Sequence, residues 1–180
     1  MSSSPVSAFQ SSLDGLDVGW TETDAAGFPA ALDAVLDSPA VGAPLPFEGV
    51  ELPDSVDTDP TPAALREAAT GVTPVEFAIA DYGSVVIRAE GNVEPVSLYA
   101  DTHVAVLDER DVLPDMPAAF ERFGPLLRDG ESAIVATGPS ATADMGDLVR
   151  GAHGPKDVHV VVLTSGDEAG TDGDEGGADR

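Results

Sequence analysis

Val160-Val161-Val162-Leu163 is an unbroken apolar run in a chain with 33 acidic residues, and residues 133–136 form a second apolar run. Both are bounded by glycine and proline, the pattern of strands buried on both faces of a mixed or parallel sheet. Such strands need helices to cover them, and the rest of the chain supplies helical patterns. Phe9, Leu13 and Leu16 mark a short N-terminal helix that docks through one apolar stripe. Phe28, Leu32, Val35 and Leu36 mark a second, opened by Pro29 and stopped at Ser38-Pro39. A third starts at Thr61-Pro62 and is expected to end at Gly71, and a fourth spans about residues 117–127 with Phe120, Phe123, Leu126 and Leu127 and a kink or shortening at Pro125. Strands are predicted at residues 75–79, 84–88, 96–99 and 103–107. Residues 42–60, with four prolines among acids, read mostly as an exposed connection with at most one short strand around Phe47, Val50 and Leu52. Strands interleaved with helices give an α/β class.

At 180 residues the chain fits one domain over residues 1–164, and 42% hydrophobic content suffices for a core. Residues 165–180 are rich in Gly, Asp and Glu with almost nothing to bury, so a disordered acidic tail is expected. The formal net charge of -25, with Lys156 the sole lysine, repels nucleic acid and anionic lipid. An acidic, lysine-poor composition that keeps its apolar runs resembles that of salt-accumulating microbes, where ionic strength screens self-repulsion, so instability in dilute buffer is expected. No apolar stretch is long enough to span a bilayer and residues 1–12 lack a secretory pattern, which predicts a soluble, cytoplasmic protein. With no cysteine, the chain alone cannot build a disulfide or a cysteine-ligated zinc or iron–sulfur site. No P-loop, dinucleotide fingerprint or paired-histidine metal motif is present.

Two blocks carry most of the information. One runs from Ala136-Thr137-Gly138-Pro139-Ser140-Ala141-Thr142-Ala143-Asp144 to Leu148-Val149-Arg150-Gly151-Ala152-His153-Gly154-Pro155. The other is Gly71-Val72-Thr73 with Ala78-Ile79-Ala80-Asp81-Tyr82-Gly83-Ser84. Together they resemble the lactate-utilisation (LUD) family, whose members show a glycine-proline-serine turn, an acidic position and a glycine-x-histidine-glycine-proline turn before the last core strand. The family's alanine-glutamate-threonine-glycine pattern is replaced at Asp81 and Tyr82, which puts any role needing glutamate there in doubt. The resemblance covers residues 71–164 and implies a three-layer α/β fold around a largely parallel sheet, similar to the sugar-phosphate isomerase and coenzyme A transferase superfamily. It also implies a place in cytoplasmic L-lactate oxidation beside cysteine-rich iron–sulfur partners, with the clusters in those partners and no cofactor held by this chain.

Candidate site residues follow from the same blocks. Amides of Gly138-Pro139-Ser140 and the hydroxyls of Ser140 and Thr142 suit a carboxylate or phosphate of a small organic acid, and equally a self-capped turn. Asp144 is a candidate to orient a hydroxyl or accept a proton, against the commoner role of capping a helical turn. His153, between Gly151 and Gly154, is an imidazole that would suit acid–base work on a hydroxy acid, or else fixes its turn through a carbonyl. Asp81, Gly83 and Ser84 form either a second loop on the same cleft, expected at the carboxyl ends of the strands, or a plain hairpin turn. Arg88, Arg110, Arg122, Arg128 and Arg150 are the scarce cations of which a carboxylate would need at least one, with Arg150, nearest the signature, the first choice against the commoner role of a surface ion pair. Ser140, His153 and Asp144 could be written as a triad, but no nucleophile-elbow pattern surrounds the serine. Beside the lactate-oxidation role stand two alternatives: an enzyme acting on a small carboxylated or phosphorylated metabolite, and a sensor of one.

Overall fold

The computed structural model describes residues 4–144, 147–150 and 153–165. The expected acidic tail beyond residue 165, and Gly151, lie outside the described residues.

The core is a six-stranded, wholly parallel sheet in the order β1 (Gly19–Thr23), β12 (Asp157–Leu163), β7 (Thr102–Asp108), β4 (Thr70–Pro74), β2 (Ala40–Gly42), β3 (Val56–Asp57). In β7 and β12 alternate side chains serve opposite layers. Val104, Val106, Val161 and Leu163 meet α2 (Phe28–Asp33) and the 42–60 connection, where Phe28, Leu32 and Val50 are buried. Ala105, Leu107, Val160 and Val162 meet Phe9 and Leu13 of α1 (Pro5–Gly15) and the inner face of a second sheet. That sheet has the order β8 (Val112–Leu113), β5 (Phe77–Ile79), β6 (Ser84–Arg88), β9 (Ala133–Thr137). Its far face packs on α5 (Met116–Arg128), where Phe77 and Phe123 meet edge to face with centroids 5.0 Å apart. A hairpin of β10 (Ala141–Asp144) and β11 (Asp147–Arg150) stands apart from both sheets. This is a three-layer α/β fold with a largely parallel central sheet.

Local chemistry explains the helix starts. Ser4, Thr61 and Asp115 each accept a hydrogen bond from a main-chain N–H three residues on, with proline in the first turn. Pro125 lies within α5, which still continues to Arg128.

Several expectations need correction. Residues 96–99 are not a strand but part of helix α4 (Val93–Tyr99). Gly71 does not terminate a helix. α3 (Pro62–Glu67) ends earlier and Gly71 sits inside β4, where a Cβ would lie 2.4 Å from the Val96 carbonyl oxygen of α4. A glycine there lets the helix lie directly on the strand. No strand forms around Phe47 to Leu52; a two-residue strand, β3, forms later in the connection instead. Residues 133–136 are not buried on both faces, because β9 is the outer strand of the small sheet and Val135 is 46% exposed. β1, β2, β3, β4, β8, β10 and β11 had no counterpart among the expected strands.

Candidate functional site

The segments after β9 and before β12 meet as a pair of turns. The Ser140 N–H donates to the Pro155 carbonyl over 2.8 Å. A Cβ on Gly154 would stand 3.1 Å from Ser140 Cβ, so the second turn sits hard against the first. Gly138 takes a left-handed φ of 66°, which reverses the chain at the end of β9. Below these turns a cavity of about 210 Å³ opens between the two sheets.

The cavity walls come from every layer around it. Val158 and Val160 of β12 and His103 of β7 form the floor, Val85, Ile87, Ile134 and Ala136 the opposite wall, and Leu13 and Leu98 close the sides. The paired turns supply Gly138, Ser140, His153 and Gly154 at one end, with Thr137 beside them, while Ser97 and His103 add polar groups elsewhere in the lining. Gly83 joins from the second block. Its φ of 63° follows a turn of 3-10 helix over Ala80–Tyr82, and α1 locks that turn through Ser12 Oγ, which donates to the Ala80 carbonyl over 2.7 Å. Ser84 Oγ and Thr137 Oγ1 share a 2.7 Å hydrogen bond that ties β6 to β9 at the cavity edge.

His103 lies outside both motif blocks and, like His159, is a weaker candidate than His153 from sequence. It is buried, its Nε2 lies 2.8 Å from Thr73 Oγ1, and desolvation lowers its pKa to about 4, so it is a neutral hydrogen-bonding group at physiological pH. Its partner is thirty residues away in sequence, so no local pattern exposes it; the only signal is a histidine opening the apolar strand Val104 to Leu107. His159 is half-buried, bonded to Thr21 Oγ1 over 2.9 Å, and burial also lowers its pKa.

The remaining candidates divide. Asp81 is exposed, does not line the cavity, and donates its N–H to the Pro114 carbonyl. Asp144 does not open a helical turn: it ends β10 in register with Asp147, because residues 141–144 and 147–150 form a period-two ladder. Thr142 pairs with Val149, and Arg150 with Ala141, in that same ladder. Arg88, Arg110 and Arg122 are ion-paired with Glu131, Asp108 and Asp111. No charged side chain lines the cavity among the described residues.

The position also differs from expectation. Val158 and His103 are the second residues of β12 and β7, so the cavity opens near the amino ends of the parallel strands. At the carboxyl ends lies a wider crevice with Asp24, Phe47, Glu48, Asp108 and Arg110, which holds none of the motif residues. There Arg110 is a fork on Asp108, whose carboxyl it holds below the usual range by hydrogen bonding. A mainly apolar chamber with main-chain and hydroxyl groups at one end suits a small ligand that buries carbon and presents oxygen to the turns.

Comparison with known proteins fits this frame. Residues 54–163 match the LUD domain model. The chain is 30% identical to lactate utilization protein C of Deinococcus radiodurans over 161 residues, spanning 82% of this chain and 75% of that protein. It is also 30% identical to lactate utilization protein B of Bacillus pumilus over 132 residues, which are 68% of this chain but only 26% of that protein. A crystal structure of a DUF162 family protein from Deinococcus radiodurans superposes with a TM-score of 0.69 at 21% identity, covering 88% of this chain and 96% of the other. The chain belongs to the LUD-domain family and, within it, is similar to lactate utilization protein C.

Proposed function

We propose that this chain is a cluster-free component of a cytoplasmic L-lactate utilisation system. In this reading it binds a small hydroxy acid between its sheets and associates with cysteine-rich iron–sulfur proteins that carry the electrons. The observation behind it is kinship with lactate utilization protein C over 82% of the chain. The cavity gives that kinship a location, because Gly138, Ser140, His153 and Gly154 of one block and Gly83 of the other line the same space. His153 at the polar end is the group for proton exchange with a substrate hydroxyl, and the amides and hydroxyl of the 138–140 turn are the groups for a carboxylate. The absence of cysteine supports placing the clusters of this reading in partners.

A second reading is a sensor or stand-alone enzyme for a small carboxylated or phosphorylated metabolite, the sensor drawing on the departure at Asp81-Tyr82 and on the lean set of catalytic side chains among the described lining residues. Affinity purification of the tagged protein from its source organism in molar salt, with mass spectrometry and iron analysis, separates the two. Iron–sulfur proteins and lactate-oxidising activity are expected to co-purify. A clean, iron-free protein would refute the subunit reading, and calorimetric titration with lactate and other hydroxy acids, repeated on Ser140→Ala, would then test the second.

A further inference from the structure

A sheet ends in two strands whose outer main-chain groups need water, a cover or a partner, and stable proteins guard long uncovered edges with charge, proline or brevity. Three of the four edges of the two larger sheets are guarded. β1 carries exposed Glu22 and lies between Asp17 and Asp24. β3 is two residues long and contains Asp57. β8 is also two residues long, between Asp111 and Pro114-Asp115.

β9 is different. It has five residues, Ala-Ile-Val-Ala-Thr, with neither charge nor proline. The whole stretch 132–143 is uncharged in a chain of net charge -25. Its hydrogen-bond phase is also defined. The Ala89 N–H donates to the Ser132 carbonyl, so by the alternation of an antiparallel ladder Ile87 with Ile134 and Val85 with Ala136 are the bonded pairs. The N–H and C=O groups of Ala133, Val135 and Thr137 therefore point to the outer edge, where β9 has no strand partner among the described residues. Val135 and Thr137 are exposed.

These outward groups are symmetric about Val135. Two copies of β9 laid antiparallel about a two-fold axis at Val135 pair Val135 with Val135 and Ala133 with Thr137, giving about six main-chain hydrogen bonds. We infer that β9 is a self-pairing edge, and that two copies of this chain join their small sheets into one eight-stranded sheet. The uncharged stretch favours this edge because mutual repulsion between two acidic chains is weakest where neither carries charge, and salt screens the remainder. Exposed Leu127 of α5 and Val135 both lie on the α5 side of the small sheet. The cavity is on the other side, lined by Ile134 and Ala136, so pairing leaves it open.

The test is sedimentation equilibrium in 2 M KCl over a range of protein concentrations, on wild type, Val135→Lys and Val135→Thr, with circular dichroism as the folding check. Wild type and Val135→Thr are expected at twice the 18.3 kDa chain mass and Val135→Lys at the chain mass. Amide exchange on wild type supplies a readout that needs no variant: Ala133, Val135 and Thr137 amides should slow as concentration rises, while Ile134 and Ala136 do not change. A monomeric wild type, a folded Val135→Lys that stays dimeric, or concentration-independent exchange at the three outward amides overturns the proposal.

Discussion

The two sheets share a core but obey different rules. In the large sheet β7 and β12 are buried on both faces, between α2 on one side and α1 with the small sheet on the other. In the small sheet the strands are short, one edge is open, and the inner face is a cavity wall as well as a packing surface. The difference teaches that the parallel sheet is the scaffold, while the small sheet, with the turns hung from β9 and the Gly83 turn before β6, shapes the cavity.

The largest expected effect is in the scaffold. Leu107→Ala removes a fully buried side chain that faces the small sheet, and should cost about 3–4 kcal/mol in denaturant unfolding at molar KCl. A cost under about 1 kcal/mol would erase the contrast between the sheets.

A pH experiment sharpens it at the boundary. The unfolded His103 imidazole takes up a proton below about pH 6.5, while the folded one, with its pKa near 4, does not. The unfolded state therefore binds more protons between these values, and stability should fall as pH drops through that window, by up to about 3 kcal/mol. Because carboxylates titrate nearby, the quantity to measure is the difference between wild type and His103→Gln, which should shrink steadily from pH 7 to pH 4. A difference independent of pH would mean that His103 is not desolvated.

Smaller effects are expected in the turns. Gly154→Ala places a Cβ at 3.1 Å from Ser140 Cβ and should cost about 1 kcal/mol through strain between the two turns, with a weaker ligand titration than wild type. The smallest belongs to α5: Leu127→Ala, at an exposed position, should change stability by no more than about 0.5 kcal/mol, seen as an almost unmoved unfolding midpoint.

What the sequence made legible follows the same division. The β12 run, the β7 strand, the β5–β6 pair and the helices opened by Pro29, Pro62 and Pro117 are written in local pattern, and they appear. The strand expected at 96–99 failed because four residues fit either period; Ser97 Oγ instead bonds the Glu94 carbonyl within a helical turn, and that helix can lie on β4 only because position 71 is glycine. β1 is invisible for a related reason: Gly-Trp-Thr-Glu-Thr has little apolar alternation and is held as a strand by its register with β12. At the site, the two glycine-rich turns could be picked out as motifs, but not that Ser140 N–H would bond the Pro155 carbonyl. His103 and the apolar lining were hidden because burial and long-range partners define them. Asp144 was misread because a ladder with residues 147–150 replaced the helical turn that a single aspartate suggested.

The place of β12 in the sheet has a consequence for how the molecule is made. Val161 stands in register with Thr21 on one side and Val106 on the other, so β12, made after every other described strand, is inserted between β1 and β7. Until it arrives, β1 has no neighbour and one side of β7 is unpaired. The nascent chain therefore carries an open, valine-rich seam through most of its synthesis, and closing it joins residues more than 130 positions apart. Folding should be slow, and a chain that stalls before residue 157 is a natural client for chaperones.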